Sequence, residues 1–184
     1  FVIGYILQRG ILNYTLGDDL LPPLLVTFGL SIVIQNVLLE VFSADSQRLK
    51  AGAIEISSIQ LADGLSIGIF PLITLVTAIA MIVGLQQLFN LTRLGRAFRA
   101  TSDDATTAQL MGINHKHIFG LAMGLALGLV AIAGVLMAVR SNFDPSIGPT
   151  KLLYAFEAVI IGGLGSLWGT LVGGIILGVA QNIG

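Results

Sequence analysis

Residues 118–139 read IFGLAMGLALGLVAIAGVLMAV, an apolar stretch without a single charged residue. A bilayer core of about 30 Å needs about 20 residues of helix to cross it, and this stretch is long enough. The whole chain shares its character, being 55% hydrophobic and only 10% charged, with a mean hydropathy of +0.93. We therefore predict an integral membrane protein built from helices.

Other apolar runs predict further membrane spans. Residues 22–42 and 65–91 are each long enough to cross, and residues 1–7 match the end of another span. Pro71 lies inside the predicted span 65–91, where a proline can kink the helix if neighbouring groups satisfy the freed backbone. Because the chain begins and ends within apolar runs, we expect an internal piece of a longer membrane protein.

The last apolar region, residues 152–183, is too long for one span. As a single helix it would measure about 48 Å, well beyond the bilayer core. The sequence GGLGS at residues 162–166 therefore predicts a break between a short segment 152–161 and a helix 167–183. Irregular backbone at membrane depth has to be buried in protein or line a cavity. The glycines of this break are candidate pathway residues: Gly162, Gly163 and Gly165.

Glycines recur at every fourth position in the predicted spans. Such spacing places small residues on one helix face and permits close approach of two backbones. Either packing within the chain or a dimerisation face would use it. The glycines concerned are Gly120, Gly124 and Gly128, the pair Gly169 and Gly173, and the pair Gly174 and Gly178.

The distribution of basic residues predicts which loops face the cytoplasm. Arg93, Arg96 and Arg99 follow the end of a span, and Lys and Arg near span ends favour the cytoplasmic side. We therefore place residues 92–117 in the cytoplasm. The loop 43–64 is then external, with a short strand or a surface helix, and is either a docking surface for an external partner or an ordinary connection.

Several function classes are excluded by composition and motifs. The net charge of −1 and the pI near 6.1 provide no basic surface for nucleic acid, and there is no cysteine for a disulfide or thiolate site. No phosphate-binding loop or catalytic motif occurs. His115 and His117 point to different helix faces, which favours interfacial histidines over a metal site. We expect no catalytic residue, cofactor or metal on this chain.

Polar residues inside predicted spans are candidates for a translocation pathway. Gln35 and Asn36 lie in the middle of span 22–42, and Glu157 lies just before the glycine break. Such groups are costly in lipid and normally face the bundle interior or water. They either line the route or, in the case of Gln35 and Asn36, form hydrogen bonds between helices.

A polar stretch, ATSDDATTAQLMGIN at residues 100–114, interrupts the apolar pattern. The spacing of Thr101 and Asp104 predicts a capped helix, with Asp103 and Asp104 in its first turn and Gly112 as its stop. A helix this short is marginal alone in water. Ala105, Ala108 and Met111 or Gly112 form one narrow face of small residues, which suits the groove of a partner protein. The alternative is a loop helix without a partner.

This stretch belongs to a longer pattern with a family resemblance. RLGRAFRATSDDATTAQLMGINHKHIFGLAMGLALGLVAIAGVLMA, then FEAVIIGGLGSLWGTLVGGIILG, together with the earlier TFGLSIVIQN, resembles the permease subunits of ABC importers for branched-chain amino acids. The resemblance implies an all-α polytopic transmembrane bundle, present here as one partial permease domain over 1–184. It also implies a cytoplasmic coupling segment, residues 93–117, and a glycine-broken helix near the pore.

The resemblance further implies partners and a mechanism. A second permease subunit, two ATPase subunits that hold ATP and Mg, and a periplasmic or surface-attached solute-binding protein would assemble in the bacterial inner membrane. The residues carried over to ATPase coupling are Arg96, Arg99, Asp103, Asp104, Ala108, Gly112 and Ile113. Alternatives left open are a permease for another small solute such as urea or short amides, a secondary transporter or channel without an ATPase, and a purely structural membrane subunit.

Overall fold

The computed structural model describes residues 1–15, 21–49, 58–62 and 65–183. These residues form helices joined by short connections, with one antiparallel β-hairpin. The helices are α1 (Val2–Gly10), α2 (Leu21–Phe42), α3 (Ile69–Leu91), α4 (Arg93–Asp103), α5 (Ala105–Leu110), α6 (His115–Arg140), α7 (Gly148–Gly162) and α8 (Leu167–Ile183). A 3-10 turn lies at Leu12–Tyr14, and the hairpin pairs β1 (Ser58–Ala62) with β2 (Leu65–Gly68). The predicted helical fold is confirmed.

Three of these helices have the length and composition of membrane spans. They are α2, α3 and α6, and the bent pair of α7 and α8 passes the same test together. Neither α2 nor α3 buries a single residue against the described part of the chain. Their large apolar side chains, such as Phe28 and Val76, are exposed, as expected of helices that meet lipid or further protein. The chain is therefore a multi-pass membrane protein.

The start of α3 differs from the sequence prediction. Residues 65–68, predicted as the first turn of a span, form β2, and the helix begins at Ile69. Pro71 consequently lies in the first turn of α3, where its missing N–H would have had no partner within the helix. Because the helix starts just before the proline, Pro71 removes no hydrogen bond within α3, and its position requires no kink.

Helices α1 and α6 pack antiparallel through glycine. A Cβ on Gly4 would lie 2.6 Å from the carbonyl oxygen of Met123, and one on Gly120 would lie 2.8 Å from the Tyr5 ring. Phe1 likewise contacts Gly124, which is buried. Packing within the chain therefore accounts for Gly120 and Gly124. It does not account for Gly128, whose Cβ position has no atom of the described residues within 4 Å.

The break between α7 and α8 turns the chain by 118°. It uses Gly163 (φ 89°) and Gly165 (φ 90°), a backbone conformation that suits glycine. Beyond the turn the two helices touch backbone to backbone, with Gly169 against Gly162 and Gly173 against Ala158 and Gly162. The predicted glycine break is confirmed, and α7 begins at Gly148, earlier than the predicted segment 152–161.

The connections that follow α2 and α6 are joined by backbone hydrogen bonds. Gln47 and Phe143 exchange backbone hydrogen bonds of 2.8 and 2.9 Å, and the Leu49 amide donates to the Ala138 carbonyl at 3.0 Å. The predicted external loop 43–64 includes β1 and two of the residues that form these bonds, Gln47 and Leu49. Residues 50–57 and 63–64 of that loop lie outside the described part of the chain.

Candidate functional site

The predicted coupling segment begins with a tight elbow between α3 and α4. Thr92 caps α4, because its Oγ1 accepts from the Gly95 amide at 3.1 Å and donates to the Leu88 carbonyl at 2.6 Å. Gly95 is buried, and a side chain there would collide with the backbone of Leu88 and Phe89. Only a residue without a Cβ allows α4 to fold back on the end of α3 in this way.

Side chains of α4 reinforce the same elbow. The Arg99 Nη2 donates to the Phe89 carbonyl at 2.6 Å, which satisfies an acceptor in the last turn of α3. The rings of Phe89 and Phe98 meet edge to face, with centroids 5.7 Å apart. Helices α3 and α4 are thus joined by a cap, a charged hydrogen bond and an aromatic pair, so that they form one unit.

The predicted cap of the coupling helix was misplaced. Thr101 lies inside α4 and is only 3% exposed, with its Oγ1 unpaired among the described residues. Asp103 is the last residue of α4, not part of a first turn. Asp104 alone caps α5, and its Oδ1 accepts from the amides of Thr106 and Thr107 at 2.8 and 3.0 Å. The sequence offered two acids, and the capping geometry selects the second one.

The hydrogen bonds at Asp104 also set its ionisation. The Thr107 hydroxyl donates to Oδ2, and the amides of Thr107 and Thr106 donate to the carboxylate as well. These bonds favour the charged form and hold the pKa of Asp104 below its ordinary value, with the Thr107 hydroxyl making the largest contribution. A charged cap therefore persists at neutral pH and stabilises the N-terminus of α5.

The surface that α5 offers to a partner differs from the predicted one. Ala108 is 4% exposed and packs against the chain itself, so it cannot lie on an open small-residue face. Leu110 and Met111 are instead 85% and 79% exposed. Gly112 (φ 83°) ends the helix as predicted, and the Ile113 amide returns to the Ala108 carbonyl at 3.0 Å. The exposed tip is therefore large and apolar.

A cavity of about 560 Å³ lies between the coupling segment and the glycine turn. Its wall includes Asn90 from the end of α3, Arg99 and Thr101 from α4, Phe119 from α6, and Gly165 from the turn. The coupling segment and the break between α7 and α8 are thus close neighbours. Motion of one has to be accommodated by the other or by the space between them.

The remaining coupling residues are solvent exposed. Arg96 and Asp103 lie on α4, and their side chains extend from the described bundle. Phe98 and Gly95 on the same helix face α3. The helix thus has a packed side and a charged side, which is the pattern of a helix at the surface of a membrane protein.

The predicted pathway residues do not converge on one site. Gln35 lines a cavity of about 450 Å³ between α1, α2, α6 and the start of α7. Asn36 bonds within its own helix, because its Nδ2 donates to the Ile32 carbonyl at 2.8 Å. Glu157 is exposed on α7 and is not part of the cavity that Gln35 lines. Their role in translocation stays a prediction.

Sequence reasoning missed one polar contact beside the glycine break. The Trp168 Nε1 donates to the Gln86 Oε1 at 2.7 Å and joins the start of α8 to α3. A glutamine within an apolar span was a signal that could have found it, since such groups need a partner. This bond therefore connects α8, which follows the glycine break, to α3, which ends at the elbow with α4.

The two histidines near the start of α6 take separate partners. His117 Nδ1 lies 2.8 Å from the Tyr5 hydroxyl, whereas the His115 ring meets Phe119 edge to face. No group of three His, Cys, Asp or Glu side chains suited to a metal occurs among the residues that the structure describes. The histidines thus contribute to packing between α1 and α6 and within α6.

Comparison with known proteins identifies the family. Residues 10–184 match the family described as the branched-chain amino acid transport system permease component. The chain is 31% identical over 186 residues to the high-affinity branched-chain amino acid transport system permease protein BraD of Pseudomonas aeruginosa, covering 98% of this chain and 60% of the relative. No solved structure matches.

Two further relatives come from Escherichia coli. The high-affinity branched-chain amino acid transport system permease protein LivH is 37% identical over 112 residues, covering 60% of this chain and 36% of the relative. The ribose import permease protein RbsC is 35% identical over 98 residues, covering 50% of this chain and 30% of the relative. The matched regions thus span 30% to 60% of the length of these relatives. It belongs to the family of branched-chain amino acid transport permease components.

Proposed function

We propose that this chain is part of the permease subunit of an ABC importer that carries leucine, isoleucine and valine across the bacterial inner membrane. The family match over residues 10–184 supports a transport permease, and the names of BraD and LivH support branched-chain amino acids as the substrate class. The chain itself would carry no catalytic site and bind no cofactor. ATP and Mg would belong to two partner ATPase subunits.

The observation that carries the proposal is the geometry of α4 and α5. A short helix capped by Asp104 ends in exposed Leu110 and Met111 and is anchored through Ala108 to the rest of the chain. Two large apolar side chains at the tip of a polar segment are costly in water and suit an apolar pocket on a partner protein. We assign that pocket to the ATPase subunit, and the charged side of α4, with Arg96 and Asp103, to its rim.

The proposed cycle follows from the connections of this segment. ATP-driven movement of the ATPase would displace α5, and the elbow at Thr92 and Gly95 would pass that displacement to α3. The cavity shared with Gly165 and the bond between Gln86 and Trp168 connect the same unit to the glycine break. A second permease subunit would complete the pathway, and a periplasmic or surface-attached binding protein would deliver the amino acid.

A crosslinking experiment tests the ATPase contact. Cysteine at Met111, in a full-length permease that lacks other cysteines, is expected to form a crosslink to the ATPase subunit of the assembled importer. Cysteine at Ala108 is the matched control, because its position is buried within the chain and should give little or no product. Equal crosslinking at both positions, or a crosslink at Ala108 alone, would show that the exposed tip is not the contact.

An uptake experiment tests the substrate. The full-length permease and its own ATPase and binding-protein partners would be expressed in a strain that lacks branched-chain amino acid permeases. We expect ATP-dependent uptake of leucine, isoleucine and valine. Uptake restricted to ribose, urea or alanine would contradict the substrate, and uptake that continues without the ATPase would contradict the importer class.

A further inference from the structure

A small polar pocket lies where α1 ends and α6 begins. Its volume is about 220 Å³, and it is lined by Arg9, Asn13, Tyr14, Asn114, Lys116 and His117. Because α1 runs antiparallel to α6, both helix ends meet at the membrane face that carries the coupling segment. A pocket at the end of a membrane-spanning helix lies at the depth where lipid headgroups are found.

Hydrogen bonds hold the walls of this pocket in place. The Arg9 Nη1 donates to the Tyr5 hydroxyl at 2.8 Å, and that hydroxyl in turn lies 2.8 Å from His117 Nδ1. The Gln8 Nε2 donates to the Asn13 Oδ1 at 3.2 Å. The contact between Tyr5 and His117 joins α1 to α6, and the other two bonds position Arg9 and Asn13 beside the start of α6. The pocket is thus formed by the fold and does not depend on flexible surface chains alone.

The pocket contains two cationic side chains, Arg9 and Lys116. Within residues 1–15, 21–49, 58–62 and 65–183, no carboxylate lies within 4.0 Å of the charged nitrogens of Arg9 or Lys116. Amide and hydroxyl groups from Asn13, Asn114 and Tyr14 lie around the two cations. Two cations with neutral hydrogen-bonding groups form a donor set that suits a phosphate group.

We propose that this pocket binds the phosphate group of an anionic phospholipid. Arg9 and Lys116 supply the charge, the neutral side chains add hydrogen bonds, and the exposed apolar residues of α1 beside it, such as Ile6, accommodate the acyl chains. A bound lipid would join α1 to the start of α6, next to the coupling segment. Inorganic phosphate shares the recognised chemistry and serves as the alternative ligand in the test.

The test measures lipid binding to the purified full-length permease. Native mass spectrometry in detergent with added phosphatidylglycerol is compared between the wild type, R9Q/K116Q and a matched control, R93Q/R96Q, which removes two arginines from the same membrane face. R9Q/K116Q removes both cations that would contact the phosphate group, so we expect it to bind the lipid at least about tenfold more weakly. The control should bind within about twofold of the wild type.

The single variant K116Q keeps the bond between Arg9 and Tyr5, so a loss of lipid binding in this variant is not explained by loss of that bond. Its affinity for the lipid should still fall several-fold. A permease that binds inorganic phosphate saturably, loses that binding in R9Q/K116Q and shows no binding of added lipid would support the phosphate site, with a free anion as its ligand. Unchanged lipid binding in R9Q/K116Q, or an equal loss in R93Q/R96Q, would overturn the proposal.

Discussion

Replacing Gly173 with alanine tests whether backbone contact between α7 and α8 holds the 118° bend. A Cβ at this position would meet the Ala158 carbonyl oxygen, and would lie 2.9 Å from the Gly162 amide nitrogen and 3.2 Å from its Cα. Gly174 is the next residue on the same helix, and a Cβ there would have no atom within 4 Å among the residues that the structure describes. The variant G174A is therefore a matched control with the same chemical change.

The expected effect can be worked out from these distances. Ordinary Cβ contacts begin at 3.4 Å, so the Gly162 nitrogen at 2.9 Å has to move away by about 0.5 Å, and the Ala158 carbonyl by more. Overpacking of this kind costs about 1–3 kcal/mol, whereas the better helix propensity of alanine contributes up to about 1 kcal/mol of stability at both positions. We expect G173A to be less stable than G174A by about 1–3 kcal/mol.

The assay is reversible unfolding of the full-length permease in mixed lipid and detergent micelles, followed by circular dichroism. G174A should unfold at the same denaturant concentration as the wild type or slightly above it, and G173A should unfold below both. The double variant G173A/G174A should unfold at the same denaturant concentration as G173A or slightly above it, by the same shift that G174A shows relative to the wild type, because the two substitutions act independently. Equal unfolding free energies for G173A and G174A would refute the packing argument.

Two further predictions concern polar contacts. In D104N the neutral amide accepts more weakly, so hydrogen exchange at the Thr106 and Thr107 amides should accelerate at neutral pH. Because the pKa of Asp104 is lowered from 3.8, the wild-type cap contributes stability above that value and loses it as the pH falls through the lower folded value; amide protection measured against pH checks this. Q86L removes the acceptor of the Trp168 bond and should cost about 0.5–1.5 kcal/mol in the same unfolding assay, with Q87L as control.

Much of the fold followed from length and hydropathy. The apolar runs predicted α2, α3 and α6, and the excess length of the last region predicted the break after Gly162, because a bilayer limits how long one helix can be. The hairpin before α3 was not predicted as such. Leu65 to Gly68 is as apolar as the helix that follows, and hydropathy does not distinguish a strand from a first helical turn in so short a stretch.

The candidate site was predicted less completely. The acidic pair and Gly112 correctly indicated a short capped helix, but sequence spacing put Thr101 at the cap and Ala108 on the open face. The cap was misplaced because α4 extends through Thr101 to Asp103, so that a second helix starts only after Asp104. Ala108 was misplaced because its face of α5 packs against the chain itself, which spacing along one helix does not reveal. The contact of Tyr5 with His117 joins positions that are 112 apart in the chain, and no local pattern encodes such a pair.

The elbow at Gly95 has a mechanical consequence. Helix α4, with 11 residues, is an arm of about 16 Å, and α3, with 23 residues, is an arm of about 35 Å on the other side of the same joint. If the joint stays rigid, a tilt of about 10° that moves the short arm by about 3 Å sweeps the far end of α3 through about 6 Å. The elbow would therefore work as a lever with a ratio of about two, so that a modest stroke on one side of the membrane opens a wider gap on the other.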